Sequence, residues 1–279
     1  MRNLKMSYYN VYYYCNIIDN LLHYFTEDIN WVTTGAQFTE PFFEGKVEDF
    51  PKYSALHQFC DFAVRVLMQE DAELSLDKIE EKYNSLQSES DKAKRLRMAF
   101  NYDREHVGYC LEVDHLLAIS GKKCETFFEY LLSANFDYMI DSYVDFVTFN
   151  GDVDEAVEQL SKELFYILFQ NREFLLRFNY YLASANAERI KRCNIPAWVK
   201  RAVMHRERGK CAFCRSELSG LIDCEDTASV HYDHIVPLKE GGLNDVSNIQ
   251  LLCRKCNLEK SAHIGTSEIY KDWYDFEDE

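Results

Sequence analysis

The sequence predicts an α+β protein with two parts: a large N-terminal all-α bundle over residues 1–190 and a small metal-stabilised domain over residues 191–279. Three observations support this prediction. Apolar residues recur at helical spacing before residue 190, two Cys-x-x-Cys pairs follow it, and a short basic segment over residues 191–215 follows the acidic N-terminal part. A chain of 279 residues with 47% hydrophobic content is long enough for a sizeable packed core.

The N-terminal region is predicted to be helical from its apolar periodicity. In residues 154–190, apolar positions three or four residues apart form one stripe on a helix: Val157, Leu160, Leu164 and Ile167. Similar patterns predict helices over about 7–25, 55–70, 73–118 and 124–147. Helices with such stripes pack into a multi-helix bundle, and the acidic residues are expected on its solvated face.

The net charge of −16 is unevenly distributed. Residues 1–190 contain 18 basic and 32 acidic residues, whereas residues 191–215 contain eight basic residues and one acidic residue. Because an acidic surface repels phosphates, nucleic-acid contact is expected in the basic segment. The helical region is expected to dock a protein partner or to self-associate, with ligand or damage sensing and recognition of a nucleic-acid shape as open alternatives.

Neither a signal peptide nor a membrane span is expected. The first residues include Tyr, Asn and Asp where a signal peptide needs an apolar run. No stretch approaches the roughly 18 apolar residues of a membrane helix. Paired Cys-x-x-Cys spacing without an export signal favours metal binding over disulfides. These features predict a cytoplasmic protein with no membrane partner.

A short basic helix is predicted to open the C-terminal domain. Pro196 suits a first helical turn, Asn194 is a candidate cap and Gly209 fits just past the end, so the helix is expected over residues 196–208. Its inward-facing residues are expected to be Trp198, Ala202 and Val203. The basic residues assigned here to nucleic-acid binding are Lys200, Arg201, Arg206, Arg208 and Lys210, of which the first four are expected in solvent.

Four cysteines predict a structural zinc site: Cys211, Cys214, Cys253 and Cys256. Two such pairs close all four positions of a tetrahedral zinc, which leaves none for catalysis. The 38 residues between the pairs exceed the roughly 15–20 of a zinc ribbon, so a sizeable insert must loop out. Zinc binding can contribute on the order of 10 kcal/mol to a fold this small. No role is assigned to Cys193 or Cys224.

The insert between the cysteine pairs reads SVHYDHIVPLKEGGLNDVSNIQLL. A strand is expected to deliver Asp233 and His234, a glycine-bearing loop to follow, and Asn248 to begin the return strand. A helix that starts near the second cysteine pair places Asn257 and Lys260 one turn apart. The predicted order of strand, strand and helix brings acid, imidazole and amide groups to one cleft.

At this point the sequence resembles an HNH endonuclease of the zinc-stapled ββα-metal type. The matching features are RERGKCAFC, the Asp-His with IVPL, the GG loop, NIQLLC and CNLEK, over about residues 196–263, so the acidic helical region is not covered. The resemblance implies hydrolysis of phosphodiester bonds in a DNA substrate that leaves a 5′-phosphate and a 3′-hydroxyl. Bacterial anti-phage defence, where HNH domains with accessory domains are common, is then a candidate setting.

The resemblance implies roles for individual residues. His234 would be the general base that takes a proton from water. Asp233 and Asn257 would hold a catalytic Mg²⁺ or Mn²⁺ through oxygen ligands, separate from the structural Zn²⁺. Asn248 would hold the loop and the base in register. Some relatives add a further ligand where this chain has Ser261.

Several assignments keep an alternative. Lys260 is either a phosphate contact or an exposed helix lysine, and Asn248 is either a catalytic-motif residue or a simple turn asparagine. His231 shares a strand face with Asp233, as an extra ligand, as support behind the ligands or as a surface residue. For the whole domain, the alternatives are an RNA-directed nuclease and a catalytically inactive zinc-stabilised binding module.

Overall fold

The computed structural model describes residues 11–27, 48–106, 152–185, 190–220 and 230–267. Helices occupy most of the described chain before residue 190, and two short strands lie near the C-terminus, consistent with an α+β fold. The elements are α1 (Val11–Glu27), α2 (Ala55–Ser85), α3 (Lys92–His106), α4 (Asp152–Leu168), α5 (Arg172–Ala185), α6 (Ala197–Arg206), β1 (Val230–His234), β2 (Ile249–Cys253) and α7 (Arg254–Lys260). In these ranges no helix has the length and apolar character needed to cross a membrane.

The boundaries of α2 and α3 differ from the predicted ones, and local sequence explains each difference. α2 is one continuous helix of 31 residues, so the predicted break at 70–73 is wrong; its sequence contains no proline or glycine to interrupt it. The predicted helix over 73–118 is instead interrupted before α3, where the Asp91 carboxylate accepts from the backbone N–H of Ala93 at 3.0 Å and caps the new helix. The predicted helix over 124–147 lies outside the described residues.

The chain divides into two compact units. One contains residues 1–14 and 59–164, and the other contains residues 15–58 and 165–279. Three of the four residues of the apolar stripe predicted for α4, Val157, Leu160 and Leu164, have no exposed surface, and Ile167 is half-buried. The second unit holds the basic and cysteine-bearing segment together with residues from before position 190. The functional division near residue 190 stays a prediction.

The core of the second unit forms where α6 packs on β2. Val199 and Val203, one turn apart on α6, pack with Leu251 and Leu252 of β2 and with Phe50. α6 is shorter than predicted at both ends: Pro196, not Asn194, is its N-cap and makes no side-chain cap, and Glu207 is its C-cap. Gly209 follows with a positive φ of 69°, as expected for a residue just past a helix end.

The two strands form an antiparallel hairpin that fixes the predicted acid and imidazole at its loop end, opposite the end where Val230 pairs with Cys253. Asp233 pairs with Gln250 and His234 with Ile249. The connection contains two 3-10 turns, Leu238–Glu240 and Val246–Asn248. Gly241 follows the first turn with a φ of 89°, and a side chain there would place its Cβ only 2.7 Å from the Ala183 carbonyl oxygen. The glycine therefore lets the connection lie directly against α5.

Candidate active site and metal centre

Four cysteine thiols cluster at the base of the hairpin. The sulfur atoms of Cys211, Cys214, Cys253 and Cys256 all lie within 4.8 Å of one another. Tetrahedral zinc with Zn–S bonds of about 2.3 Å requires sulfur atoms about 3.8 Å apart, and the Sγ atoms of Cys214 and Cys253 are 3.7 Å apart. The donor set and its spacing therefore suit a structural zinc ion.

The backbone around this cluster is tied to the hairpin. The N–H of Ala212 donates to the Leu251 carbonyl at 2.8 Å, which places the first cysteine pair beside β2. Burial acts to raise the pKa of Cys214, but hydrogen bonds from Ser216 and from neighbouring thiols outweigh it and bring the pKa to about 6. Burial raises the pKa of the Cys211 and Cys256 thiols, so these lose their protons less readily than Cys214.

A buried ion-pair cluster joins α5 to the end of α6 close to the cysteines. The Glu207 carboxylate accepts from Arg172 at 3.1 Å and pairs with Arg206 at 2.9 Å. All three side chains are at most 2% exposed. Arg172 also donates to the Ala212 carbonyl at 3.1 Å. The first turn of α5 is therefore fastened to the segment that carries the first cysteine pair.

A cleft opens at the end of the hairpin opposite the cysteine cluster. It encloses about 350 Å³ and is lined by residues from three segments, 190–192, 233–239 and 261–262. Asp233 and His234 lie side by side in its lining, with the basic residues Arg192 and Lys239. The cleft thus combines a carboxylate, an imidazole and two cations, which is suitable chemistry for a phosphate-containing ligand.

His234 is held in this cleft by a single side chain among the described contacts. Its Nε2 atom lies 3.0 Å from the Asn244 amide oxygen. Burial is the largest influence on its pKa and lowers it; the Asn244 hydrogen bond and the Asp233 charge act to raise it. The charges of Arg192 and Lys260 add to the lowering. The net shift favours the neutral imidazole, the form that can accept a proton.

Asp233 is paired with a buried lysine. Lys260 Nζ lies 2.8 Å from Asp233 Oδ2, and the lysine side chain is 3% exposed. The same ammonium group donates to the His234 backbone carbonyl at 2.8 Å. The alternative of an exposed helix lysine is therefore wrong, because Lys260 reaches inward and supports the Asp-His dipeptide from behind.

Comparison with protein families supports the resemblance seen in the sequence. Residues 211–263 match the HNH endonuclease family. The C-terminal region carries an HNH endonuclease domain. The match begins at the first cysteine of the four-thiol cluster and includes the Asp-His dipeptide, both strands and α7. No curated protein and no solved structure matches the chain.

Within the HNH domain, Asn248 ties the loop together. Its amide nitrogen donates to the carbonyls of Val236 and Leu243, each at 2.9 Å, and its amide oxygen accepts from the Val236 N–H at 2.8 Å. The side chain is fully buried. All three bonds are to the backbone, so Asn248 fixes the chain on both sides of the glycine loop. A direct catalytic role for it stays a prediction.

The remaining predicted metal ligand lies apart from the cleft lining. Asn257 is half-buried on α7 and is not among the described residues that line the cleft, whereas Ser261, one turn later, is. His231 shares the strand face of Asp233, and its Nε2 atom is buried without a hydrogen-bond partner among the described residues. The metal-ligand role of Asn257 therefore stays a prediction. So do the alternative roles of His231 as a ligand, as support behind the ligands or as a surface residue.

The predicted nucleic-acid-binding residues in α6 and just after it separate into two groups. Lys200, Arg201 and Arg208 are exposed, and Lys210 is half-buried. The expectation that Arg206 lies in solvent is wrong, because its side chain is 1% exposed, pairs with Glu207 and lies over the Phe169 ring. The Arg206 charge pairs with Glu207 inside the protein and does not face a ligand.

Two basic residues of the cleft were missed in the sequence. Arg192 precedes α6 and Lys239 lies in the turn after β1, and both are exposed and line the cleft. The sequence signal was present, since Arg192 belongs to the basic segment and Lys239 lies five residues after His234. Asn244 was also missed, although it lies between the glycine loop and Asn248.

Proposed function

We propose that this protein is a metal-dependent endonuclease that hydrolyses phosphodiester bonds of DNA through its HNH domain. The observation that carries the proposal is the cleft in which Asp233 and His234 lie beside Arg192 and Lys239. A zinc-stabilised binding module without catalysis would need the cations but not a half-buried imidazole next to a carboxylate. The family match supports nuclease chemistry for the domain.

In the proposed reaction, His234 is the general base. A water proton moves to the free ring nitrogen of His234 while the water oxygen forms a bond to phosphorus. The bond between phosphorus and the 3′ oxygen breaks, and that oxygen takes a proton from solvent, which gives a 3′-hydroxyl and a 5′-phosphate. Burial lowers the pKa of His234, which favours the neutral imidazole that accepts the proton.

Oxygen donors are available for the catalytic cation of the proposal. Asp233 offers a carboxylate in the cleft and Asn257 an amide oxygen on α7, and such hard donors suit Mg²⁺ or Mn²⁺ rather than a second zinc. When bound, the cation would stabilise negative charge on the phosphate and the leaving oxygen. One oxygen of the Asp233 carboxylate, Oδ2, already pairs with the Lys260 ammonium at 2.8 Å, which leaves Oδ1 to bind a cation.

Substrate contact is assigned to the exposed cations near the cleft. Arg192 and Lys239 are proposed to hold the phosphates on either side of the scissile bond. Lys200, Arg201 and Arg208 would extend the contact along the backbone of the DNA. Most of the acidic helical region would remain free of DNA and act in partner docking or self-association, in a cytoplasmic setting such as defence against phage.

A cleavage assay with matched variants tests the proposal. Purified full-length protein is incubated with plasmid, linear DNA, single strands and RNA, with and without added Mg²⁺. We expect DNA cleavage that depends on Mg²⁺ and a rate about 10²- to 10⁴-fold lower in His234→Ala, the usual loss for a general base. His205→Ala removes an exposed histidine of α6 and should cleave at the wild-type rate.

Zinc content and circular dichroism of both variants show whether the fold is kept. Full activity of a folded His234→Ala protein would refute the assigned base. Cleavage of RNA alone would move the substrate to RNA. Binding of DNA with no cleavage under any condition would favour the inactive binding module.

A further inference from the structure

A chain of hydrogen bonds reaches His234 from far outside the HNH match. Asp49 Oδ1 accepts from the Asn244 amide nitrogen at 2.7 Å, and the Asn244 amide oxygen lies 3.0 Å from His234 Nε2. Asp49 precedes Asn244 by 195 positions. Both residues belong to the same compact unit. The imidazole is therefore connected through one amide to the N-terminal part of the chain.

The surroundings of Asn244 fix which way its amide points. Its nitrogen lies between two oxygens, the Asp49 carboxylate at 2.7 Å and the Lys191 backbone carbonyl at 2.8 Å. Carboxylate and carbonyl oxygens only accept hydrogen bonds, so the group that faces both must be the NH₂. The amide oxygen is then the atom that faces His234, and an amide oxygen can only accept. His234 Nε2 must therefore carry the proton of the neutral ring, which leaves the lone pair on Nδ1.

Backbone contacts hold the same two segments together. The N–H of Phe50 donates to the Asn244 carbonyl at 2.7 Å. Five residues later, the N–H of Ala55 at the start of α2 donates to the Asp245 carboxylate at 2.8 Å. Asp245 is buried, and burial raises its pKa although three hydrogen bonds oppose the shift. The residues around Asp49 are thus fixed against the loop that carries Asn244.

We propose that Asp49 is a positioning residue for His234. It acts through Asn244, together with the Lys191 carbonyl, to select the His234 tautomer whose Nδ1 atom accepts the proton from water. Without the carboxylate, only the Lys191 carbonyl still holds the NH₂ group, so the Asn244 amide turns over more readily and presents its NH₂ to the imidazole, which would place the ring proton on Nδ1. That tautomer has no lone pair at the nitrogen assigned to the reaction. The effect of Asp49 on the reaction rate rests on the proposed function, in which His234 is the general base. The effect of Asp49 on the His234 tautomer follows from the hydrogen bonds alone.

The test measures the tautomer and the rate in the same proteins. Full-length protein with ¹⁵N-labelled histidine is studied by long-range ¹H–¹⁵N correlation, and His234 is assigned from the signal lost in His234→Gln. We expect the Nε2–H form in wild type and substantial Nδ1–H form in Asp49→Ala. The rate of DNA cleavage should fall about 10- to 100-fold in kcat, the scale typical of outer positioning groups, with little change in KM.

Two further variants separate positioning from a merely structural effect. Asp49→Asn keeps an oxygen acceptor of the same shape and should restore the wild-type tautomer and most of the rate. Glu48→Ala removes the neighbouring exposed carboxylate and should change neither. Asp49 is itself exposed, so its replacement by alanine is compatible with folding.

The outcomes distinguish this inference from the proposed function. An unchanged Nε2–H tautomer and an unchanged rate in Asp49→Ala would overturn the positioning role. A changed tautomer together with full cleavage by His234→Ala would keep the contact between Asp49 and the ring but remove His234 as the base. A changed tautomer with a rate that falls only in Asp49→Ala and not in Asp49→Asn would support both.

Discussion

Glu207 offers the sharpest test of how α5 supports the HNH domain. Its carboxylate is 2% exposed and lies between the guanidinium groups of Arg172 at 3.1 Å and Arg206 at 2.9 Å. Glu207→Gln keeps the shape of the side chain but removes the negative charge and turns one acceptor into a donor. Two buried arginines then face an amide that can accept from only one of them.

Two estimates of the loss in the free energy of unfolding caused by Glu207→Gln agree. One charge-assisted hydrogen bond is lost, which costs about 1.5–3 kcal/mol, and the buried arginine that loses it is left unsatisfied, which costs about 1–3 kcal/mol more; together these give about 2.5–6 kcal/mol. Measurements on buried ion pairs with one partner removed give about 3–5 kcal/mol. We therefore expect the free energy of unfolding of this unit to fall by about 3–5 kcal/mol, which raises its unfolding constant by roughly two to four orders of magnitude.

Urea titration gives the free energy of unfolding, and hydrogen exchange of residues 197–216 shows that the loss is local. The matched control is Glu259→Gln, which removes the exposed Lys255–Glu259 pair at 3.9 Å on α7 and should cost less than about 0.5 kcal/mol. If Glu207→Gln unfolds within about 1 kcal/mol of wild type, the buried cluster does not fasten α5 to the cysteine-bearing segment and the reasoning from burial fails.

Two further predictions concern the metal centre and the base. Cys253→Ser should lose bound zinc and have a lower melting temperature, whereas the control Cys193→Ser should keep the metal. Elemental analysis and thermal unfolding of both proteins measure this. Equal zinc content in the two variants would exclude the four-thiol site. Because burial lowers the pKa of His234 in the folded state, its contribution to stability is present above the unfolded pKa of about 6.5 and is lost as the pH falls through the folded pKa. The free energy of unfolding of wild type should therefore fall more than that of His234→Asn between about pH 7.5 and pH 5, and parallel curves would contradict the shift.

Local patterns predicted the elements of the HNH domain well. The strand that carries the Asp-His dipeptide and the helix that starts beside Cys253 are both present, because each depends on short-range periodicity and capping. The glycine loop also has its expected tight geometry at Gly241. These features need only a few neighbouring residues to be recognised.

The burial of two basic residues was predictable but was missed. Arg206 follows Val199 and Val203 at positions i, i+4 and i+7, so it belongs to the apolar stripe of α6. Lys260 follows Cys256 by one turn and shares its inward face. The charge of each residue suggested solvent, whereas the helix period placed it inside, where an acidic partner compensates it.

The long-range contacts had no sequence signal. Asp49 is one acidic residue among many in the N-terminal region, and its partner Asn244 lies 195 positions later. The contact between the Ala55 N–H and the Asp245 carboxylate spans 190 positions. Periodicity and motif spacing describe neighbours along the chain, so contacts of this kind emerge only from the folded structure.

The contact between Asp245 and α2 also affects whether the HNH domain can be produced without residues 1–190. The same carboxylate that shapes a 3-10 turn of the HNH loop accepts from the first backbone N–H of α2. Removing residues 1–190 would leave this fully buried group facing water and would remove Asp49, one of the two acceptors of the Asn244 amide. Recombinant excision at residue 190 is therefore expected to yield a weakened catalytic loop, and an intact chain is the appropriate unit for crystallisation, screening and domain transplantation.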